Sequence, residues 1–443
     1  MAGMGFELRK IFAKKAQTAE PMRVLHSSLT TLGASLIFAI LLFGLGGLLN
    51  VLQVSDAEKE IFFSSFAGSS LMGILISSVV NSVLSRYVSD KIMEEKESRV
   101  CASLFGSMIF NSVWAAVGMG VLGFLQWKNG MDDWGLFVLC YLFGVLWTIS
   151  HSLMVYATTL RKCSQVIVSS MAGAFVFCGI VYGCYSMNIS DMVAGLYMAL
   201  VAGLFVVDLC LVCICRKAFG APGESYFEFL GYFKKHAFLW GSGLLFFIGF
   251  FIPSFLLWFY AGTGVNMILL CNLPGVLLFE CLFRKQFYAK YNMYIAAIEE
   301  GSFEIIEREK ITLQKALKLQ LVFIYVMQFV ASVVFTELSV IWMRDAGTFV
   351  KSVELLPLEM GMAFVFCMYY TITFFCYFSG YKESFVITTV FAVVVMAVAV
   401  YCYVFANTFY TLPLFIGGGI GWLVAFLMLR KSLKDLNAYM LCK

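Results

Sequence analysis

Residues 192–217 read MVAGLYMALVAGLFVVDLCLVCICRK. From Met192 to Cys215 the stretch carries one charge, Asp208, and it stops at Arg216-Lys217. A spanning helix needs about 20 predominantly apolar residues, and a cationic pair at its end marks a cytoplasmic terminus. The stretch is therefore a transmembrane helix whose C-terminal end faces the cytoplasm.

The same pattern repeats outward in both directions. Apolar runs fall at about 29–50, 61–85, 100–125, 134–160, 164–186, 192–215, 237–260, 264–283, 319–343, 353–378, 384–406 and 411–429, twelve in all. They are continuous, unlike the short alternating segments of a transmembrane β-barrel. Hydrophobic residues make up 61% of the 443 positions and charged residues 13%, against about 25% charged in soluble domains. That shortage runs the length of the chain and excludes a soluble enzyme with one anchor.

Charge placement tests the count. With the N-terminus inside, the cytoplasmic segments hold 27 of the 31 Lys and Arg, and only Lys59, Lys128, Arg344 and Lys351 fall outside. One missed or invented span would invert every later loop, so the asymmetry supports twelve spans and two cytoplasmic termini. It also accounts for the net charge of +4 without nucleic acid. The first long run begins near Leu29, too deep and too long for a signal peptide, and none is expected.

The expected fold class is all-α, a polytopic membrane protein of two six-helix lobes. Residues 1–215 hold a basic juxtamembrane helix (Phe6, Leu8, Ile11 and Phe12 among Arg9, Lys10, Lys14 and Lys15) and the first lobe. That helix suits an anionic lipid leaflet. Residues 216–236, with Ala221-Pro222-Gly223, form a cytoplasmic linker; residues 237–429 form the second lobe, with a cytoplasmic loop at 284–318; residues 430–443 are a cytoplasmic tail. Many transporters pair such halves around a site between them.

No Walker A loop or hydrolase signature appears, so no enzyme activity and no cofactor is expected. Most of the 14 cysteines lie in apolar runs and read as free thiols. Cys210, Cys213 and Cys215 have no histidine nearby and pack a helix rather than hold a metal. Glycine clusters such as Gly44 to Gly47 and Gly417 to Gly419 lie in spans and indicate close helix packing.

Polar groups in spans are costly and therefore informative. The candidates for a substrate path are Asp208, His151, Asn111, Glu337 and Glu359, with Glu280, Asn81 and Asn272 as companions. For Glu280, Glu337 and Glu359 the competing reading is snorkelling to the interface; for Asp208 and His151 it is an interhelical hydrogen bond. Pro253 and Pro274 sit deep in the seventh and eighth spans, as gating kinks or as packing features. In the loop 284–318, Phe287, Tyr291, Tyr294 and Ile298 recur on one helical face. That stripe is either a surface lying on lipid headgroups or a docking site for a cytoplasmic partner.

Four islands resemble the PelG family. The opening MAGMGFELRK is nearly identical to the family's first decapeptide. Arg86-Tyr87-Val88-Ser89-Asp90 is similar to its R-[FY]-V-[AS]-D. The segment from Glu280 through Phe287, Tyr291, Tyr294, Ala297, Ile298 and Gly301 to Ile306 resembles its E…F…Y..Y..AI..G…I pattern, and Leu436-Asn437-Ala438-Tyr439 resembles its ending. The family's Ser-Gly-Pro-like step in the first span is replaced here by Thr30-Thr31-Leu32-Gly33-Ala34. The resemblance implies a transporter of the flippase and multidrug-exporter superfamily in a bacterial inner membrane. Such a protein moves a hexosamine-rich exopolysaccharide beside a cytoplasmic glycosyltransferase and small membrane partners, one of them a cyclic di-GMP sensor. A lipid-linked oligosaccharide flippase, an ion-coupled small-molecule exporter and a scaffold for a synthase share the architecture and stay open.

Reporter fusions check the topology. Fusions after Lys59, Lys128, Asp191 and Lys351 are expected to read outside, and those after Arg99, Lys217, Ser302 and Lys443 inside. A swapped result at Ser302 would overturn the count before it.

Overall fold

The computed structural model describes residues 45, 47–49, 51, 52, 54–128, 133–160, 163–187, 191–261, 279, 287–345, 352–405 and 411–441. Among these residues the chain is helical, with no strand. The long helices are α1 (Asp56–Met93), α2 (Glu97–Lys128), α3 (Trp134–Thr159), α4 (Cys163–Ser186) and α5 (Met192–Phe219). A 3-10 turn (Glu228–Leu230) and the short α6 (Gly231–Lys235) lead to α7 (Ala237–Ala261). Then come α8 (Tyr288–Glu300), α9 (Phe303–Asp345), α10 (Ser352–Tyr377), α11 (Tyr381–Val404), α12 (Leu412–Lys434) and the terminal α13 (Leu436–Leu441).

Nine helices among the described residues are long and apolar enough to cross a membrane, and the apolar part of α7 adds a shorter one. The expected runs 29–50 and 264–283 lie largely outside the described residues. Two helices exceed expectation. The helix α1 continues past the second run to Met93 and takes in Arg86 to Asp90. The helix α9 is a single rod of 43 residues, so its first third is continuous with the ninth span and is not a separate interfacial helix. Residues 303–318 contain no Gly or Pro and are rich in Glu, Lys and Leu, so nothing stops the helix at the membrane surface. Pro357 lies inside α10.

The described residues fall into two compact units, divided between Phe247 and Ile248. In the first, apolar residues gather in two clusters. Phe62, Phe66, Phe143, Leu196, Tyr197 and Leu200 form one. Tyr87, Leu104, Leu153, Tyr156, Leu211 and Phe229 belong to the other. In the second unit α10 and α12 meet backbone to backbone. A Cβ at Gly361 would lie 2.7 Å from the Leu414 carbonyl carbon, and one at Gly418 would lie 2.8 Å from the Gly361 oxygen. Close helix approach, not ligand binding, is therefore the use made of Gly417 and Gly418.

The segment expected as a linker is packed onto the first unit. Gly223 N–H donates to the Ser98 carbonyl at 2.9 Å. Lys91 Nζ and Arg99 Nη1 reach Glu228 Oε1 at 3.0 and 3.1 Å, and Tyr87 Oη donates to Glu228 Oε2 at 3.3 Å. Phe229 is fully buried against Tyr87 and Phe110. Partial burial opposes the charge on Glu228, but Lys91 and then Arg99 outweigh it and hold the carboxyl below its usual range. A carboxyl depressed in the folded state stabilises above its unfolded pKa, and that contribution fades as pH falls through the lowered value.

Gly106 on α2 faces this segment so closely that a Cβ there would overlap the Tyr226 carbonyl. Gly106→Ala is expected to displace residues 220–228 at a cost of about 1–3 kcal/mol, the usual range for overpacking. Faster proteolysis within that segment, with span insertion unchanged, is the measurement; unchanged cleavage would refute the contact.

Candidate functional site

Between the two apolar clusters of the first unit lies a polar layer. On α1 it comprises Ser69, Ser70, Ser77, Ser78 and Asn81; on α2, Asn111; on α3, Thr148, Ser150, His151 and Ser152; on α5, Asp208. Many of the hydroxyls turn back on their own helix. Ser77 donates to the Ile74 carbonyl at 3.0 Å, Ser78 to Leu75 at 2.7 Å and Thr148 to Gly144 at 2.8 Å. This local bonding lets a serine-rich helix sit in a span.

Interhelical bonds join the rest. Ser150 Oγ donates to Asp208 Oδ1 at 2.6 Å, linking α3 to α5. Asn111 Nδ2 donates to Ser152 Oγ, and Ser152 Oγ donates to Asn81 Oδ1 at 3.2 Å. Asn81 Nδ2 then reaches the His151 carbonyl at 3.3 Å. The His151 ring is turned to its own helix, with Nδ1 at 2.8 Å from the Trp147 carbonyl and the ring edge-on to Trp147. Asp208 and Asn111 are both buried. Asp208 Oδ2 and Asn111 Oδ1 have no protein partner among the described residues. Arg216, two turns along α5, is exposed, and Ser150 is the hydrogen-bond partner of Asp208. Asp208 Oδ2 and Asn111 Oδ1 are thus spare acceptors for a hydroxyl or amide donor.

Of the five path candidates, Asn111, His151 and Asp208 thus lie in one layer of one unit. Glu359 is buried in α10 of the other unit, and Glu337 is exposed on α9, which fits interfacial snorkelling. Pro253 lies within the helix α7; Pro274 and Glu280 lie outside the described residues. Ser150 and Ser152 were not singled out in the sequence, because a serine in a span has no distinctive spacing. Their alternation around His151 was the available signal. In the second unit Tyr370 donates to Gln328 Oε1 at 2.6 Å and stacks on Phe279 with ring centroids 4.3 Å apart.

The aromatic stripe of the loop is not an open surface. Phe287 and Tyr294 are fully buried. Phe287 packs edge-on to Phe374 at 4.8 Å, and Tyr291 Oη donates to the Tyr377 carbonyl at 3.0 Å. Tyr294 Oη donates to Asn437 Oδ1 at 2.8 Å, while Asn437 Nδ2 donates to Glu307 Oε2 at 3.0 Å. Ile298 is half-buried on the same helix. The face assigned to lipid or to a partner is taken by the end of α10 and by α13.

Ser152 bridges two asparagines, so Ser152→Ala is expected to leave Asn111 Nδ2 without its acceptor and Asn81 Oδ1 without its donor. The cost for buried groups left without a partner is about 1–3 kcal/mol. The readout is a lower thermal midpoint of the purified chain. An unchanged midpoint would show that the layer does not hold the helices.

Comparison with known proteins places this geometry. The chain is similar to a multidrug resistance MATE family transporter of the MOP superfamily in its outward-facing conformation. The TM-score is 0.54 and the identity 13%, covering 96% of this chain and 100% of that one. It is equally similar to a MATE transporter in the straight conformation, with a TM-score of 0.54 and 13% identity over 94% of each chain. The inward-facing form of a MATE family transporter gives a TM-score of 0.50 and 15% identity, over 86% of this chain and 94% of that one. The described residues thus share the all-α fold of these neighbours, which have twelve helices in two lobes. No curated protein matches the chain. The family model of PelG, described as "Putative exopolysaccharide Exporter (EPS-E)", matches residues 1–440. This multi-pass membrane chain therefore belongs to the PelG family of exopolysaccharide exporters.

Proposed function

We propose that the chain carries a hexosamine-rich exopolysaccharide from the cytoplasmic side of a bacterial inner membrane to the outside. Both termini are cytoplasmic in this reading. The protein works without catalysis of its own, beside a cytoplasmic glycosyltransferase and small membrane partners, one of them a cyclic di-GMP sensor. The observation that carries the reading is the family match over residues 1–440. The polar layer supports it. Hydroxyls, amides and one carboxyl, from four helices, suit a solute whose own groups are hydroxyls and amides, with no cation needed.

Asp208 tests the path. Its Oδ1 is held by Ser150, and Oδ2 is an acceptor without a protein partner among the described residues. Asp208→Asn keeps the shape and one acceptor; Asp208→Leu removes both. Polymer secretion at equal protein level is expected to fall about five-fold or more for Asn, the effect of roughly 1 kcal/mol, and at least as far for Leu. Wild-type output from both variants would place the path elsewhere.

A further inference from the structure

The hairpin of α8 and the start of α9 has an inward and an outward side. Inward lie the buried Phe287, Tyr294, Leu313 and Leu317. Outward lie Phe303 at 76% exposure, Met293 at 53% and Ile305 at 42%. In a membrane protein the first explanation for exposed apolar groups is lipid, and the charges of α9 decide against it here.

Lys318 and Glu337 bracket the uncharged residues 319–336. These 18 residues make about 27 Å of helix, close to the ~30 Å hydrocarbon core. Leu319, Val322, Val326 and Val330 are exposed in this section, and hydrocarbon depth assigns them to lipid. Phe303 is a further 15 residues from Lys318, about 22 Å along the helix. The headgroup layer is only about 5–8 Å deep. A tilt of 40°, the upper end of the usual range, still leaves about 17 Å. Phe303 and Ile305 therefore stand in water beyond the headgroups.

The tip is also acidic, because Glu299 and Glu304 are exposed beside it. Negative charge is repelled by an anionic leaflet. It also disfavours a two-fold contact between copies of the chain, which would oppose the same acidic patch to itself. We infer that the α8–α9 tip, centred on Phe303 and Ile305, docks a separate cytoplasmic protein through an apolar groove rimmed by lysine or arginine. This rests on the orientation proposed above. The docking face is the side opposite the buried aromatic stripe.

The test uses the full chain in the membranes of its own cells, with a photo-reactive phenylalanine analogue in place of Phe303, Ile305 or, as a lipid-facing control, Val326. Adducts at 303 and 305 with one cytoplasmic protein, absent at 326, are expected. Phe303→Ser is expected to reduce capture about ten-fold, as for an interface anchor, at unchanged abundance, while Phe303→Tyr retains it. The charge swap decides. Glu299→Lys with Glu304→Lys should lose the captured protein, and reversing the basic rim of that protein should restore it. Lipid adducts at 303, a cross-linked dimer of this chain, no adduct, or a swap without rescue would each overturn the inference. The Ser302 reporter separates the causes: an outside result defeats the orientation, whereas an inside result with no adduct defeats only the docking.

Discussion

Hydrocarbon supplies no hydrogen bonds, so each polar atom carried into a span must be met from within the protein. The first unit is organised around that constraint. Its two apolar clusters leave a layer between them where α1, α2, α3 and α5 present serine, asparagine and aspartate to one another. The centre of the layer is α3, because Ser150, His151 and Ser152 are consecutive. Successive residues of a helix point about 100° apart. One of the three therefore reaches α5, one turns along its own helix and one reaches α1 and α2. Interhelical bonds of this kind contribute only about 0.6 kcal/mol on average. Their use is to fix the register of four helices at once.

Beyond the apolar stretches of the spans water is available, and the ties change character. The first unit uses a charged cluster in which Lys91 and Arg99 share Glu228. The second uses tyrosine, asparagine and glutamate, in the chain Tyr294–Asn437–Glu307 with Lys310 at 2.9 Å from Glu307. Several residues that resemble the family pattern fall in these ties. Tyr87 lies at the Glu228 cluster, and its sequence neighbours Arg86 and Asp90 are paired with each other at 3.1 Å. Phe287, Tyr294 and Asn437 lie in the second. Each is a group whose partner must stand at one distance and one angle, which is a stronger demand than filling a span.

Much of the fold could be read from residues alone, because hydropathy and charge act locally. The run 134–160 became α3, and the run 192–215 became α5 extended by four residues. What lay beyond reach depended on distant segments. The spacing of Phe287, Tyr291, Tyr294 and Ile298 shows that they share a face, but not what the face meets. Its partners Tyr377 and Asn437 lie 86 and 143 residues away from Tyr291 and Tyr294. The length of α9 was hidden for a different reason: charges end a hydropathy window, whereas only glycine, proline or a cap ends a helix. At the site, Asp208 and Asn111 stood out as costly groups, while Ser150 and Ser152 gained meaning only once the helices were side by side.

Fold and specificity therefore reside in different residues. Structures at 13% identity share this architecture over almost the whole chain, which is expected if span number, charge placement and small residues at helix crossings set it. Many apolar sequences satisfy those demands, so likeness to a multidrug transporter carries no information about the solute. Information about the solute has to come from groups that the fold does not require. Asp208 offers one in its Oδ2, which meets no protein partner among the described residues, whereas its Oδ1 serves the tie to Ser150. Keeping a carboxyl in the layer costs desolvation, and one hydrogen bond from a serine does not offset that cost. A carboxyl held at a cost to stability is where we propose to seek the chemistry of transport.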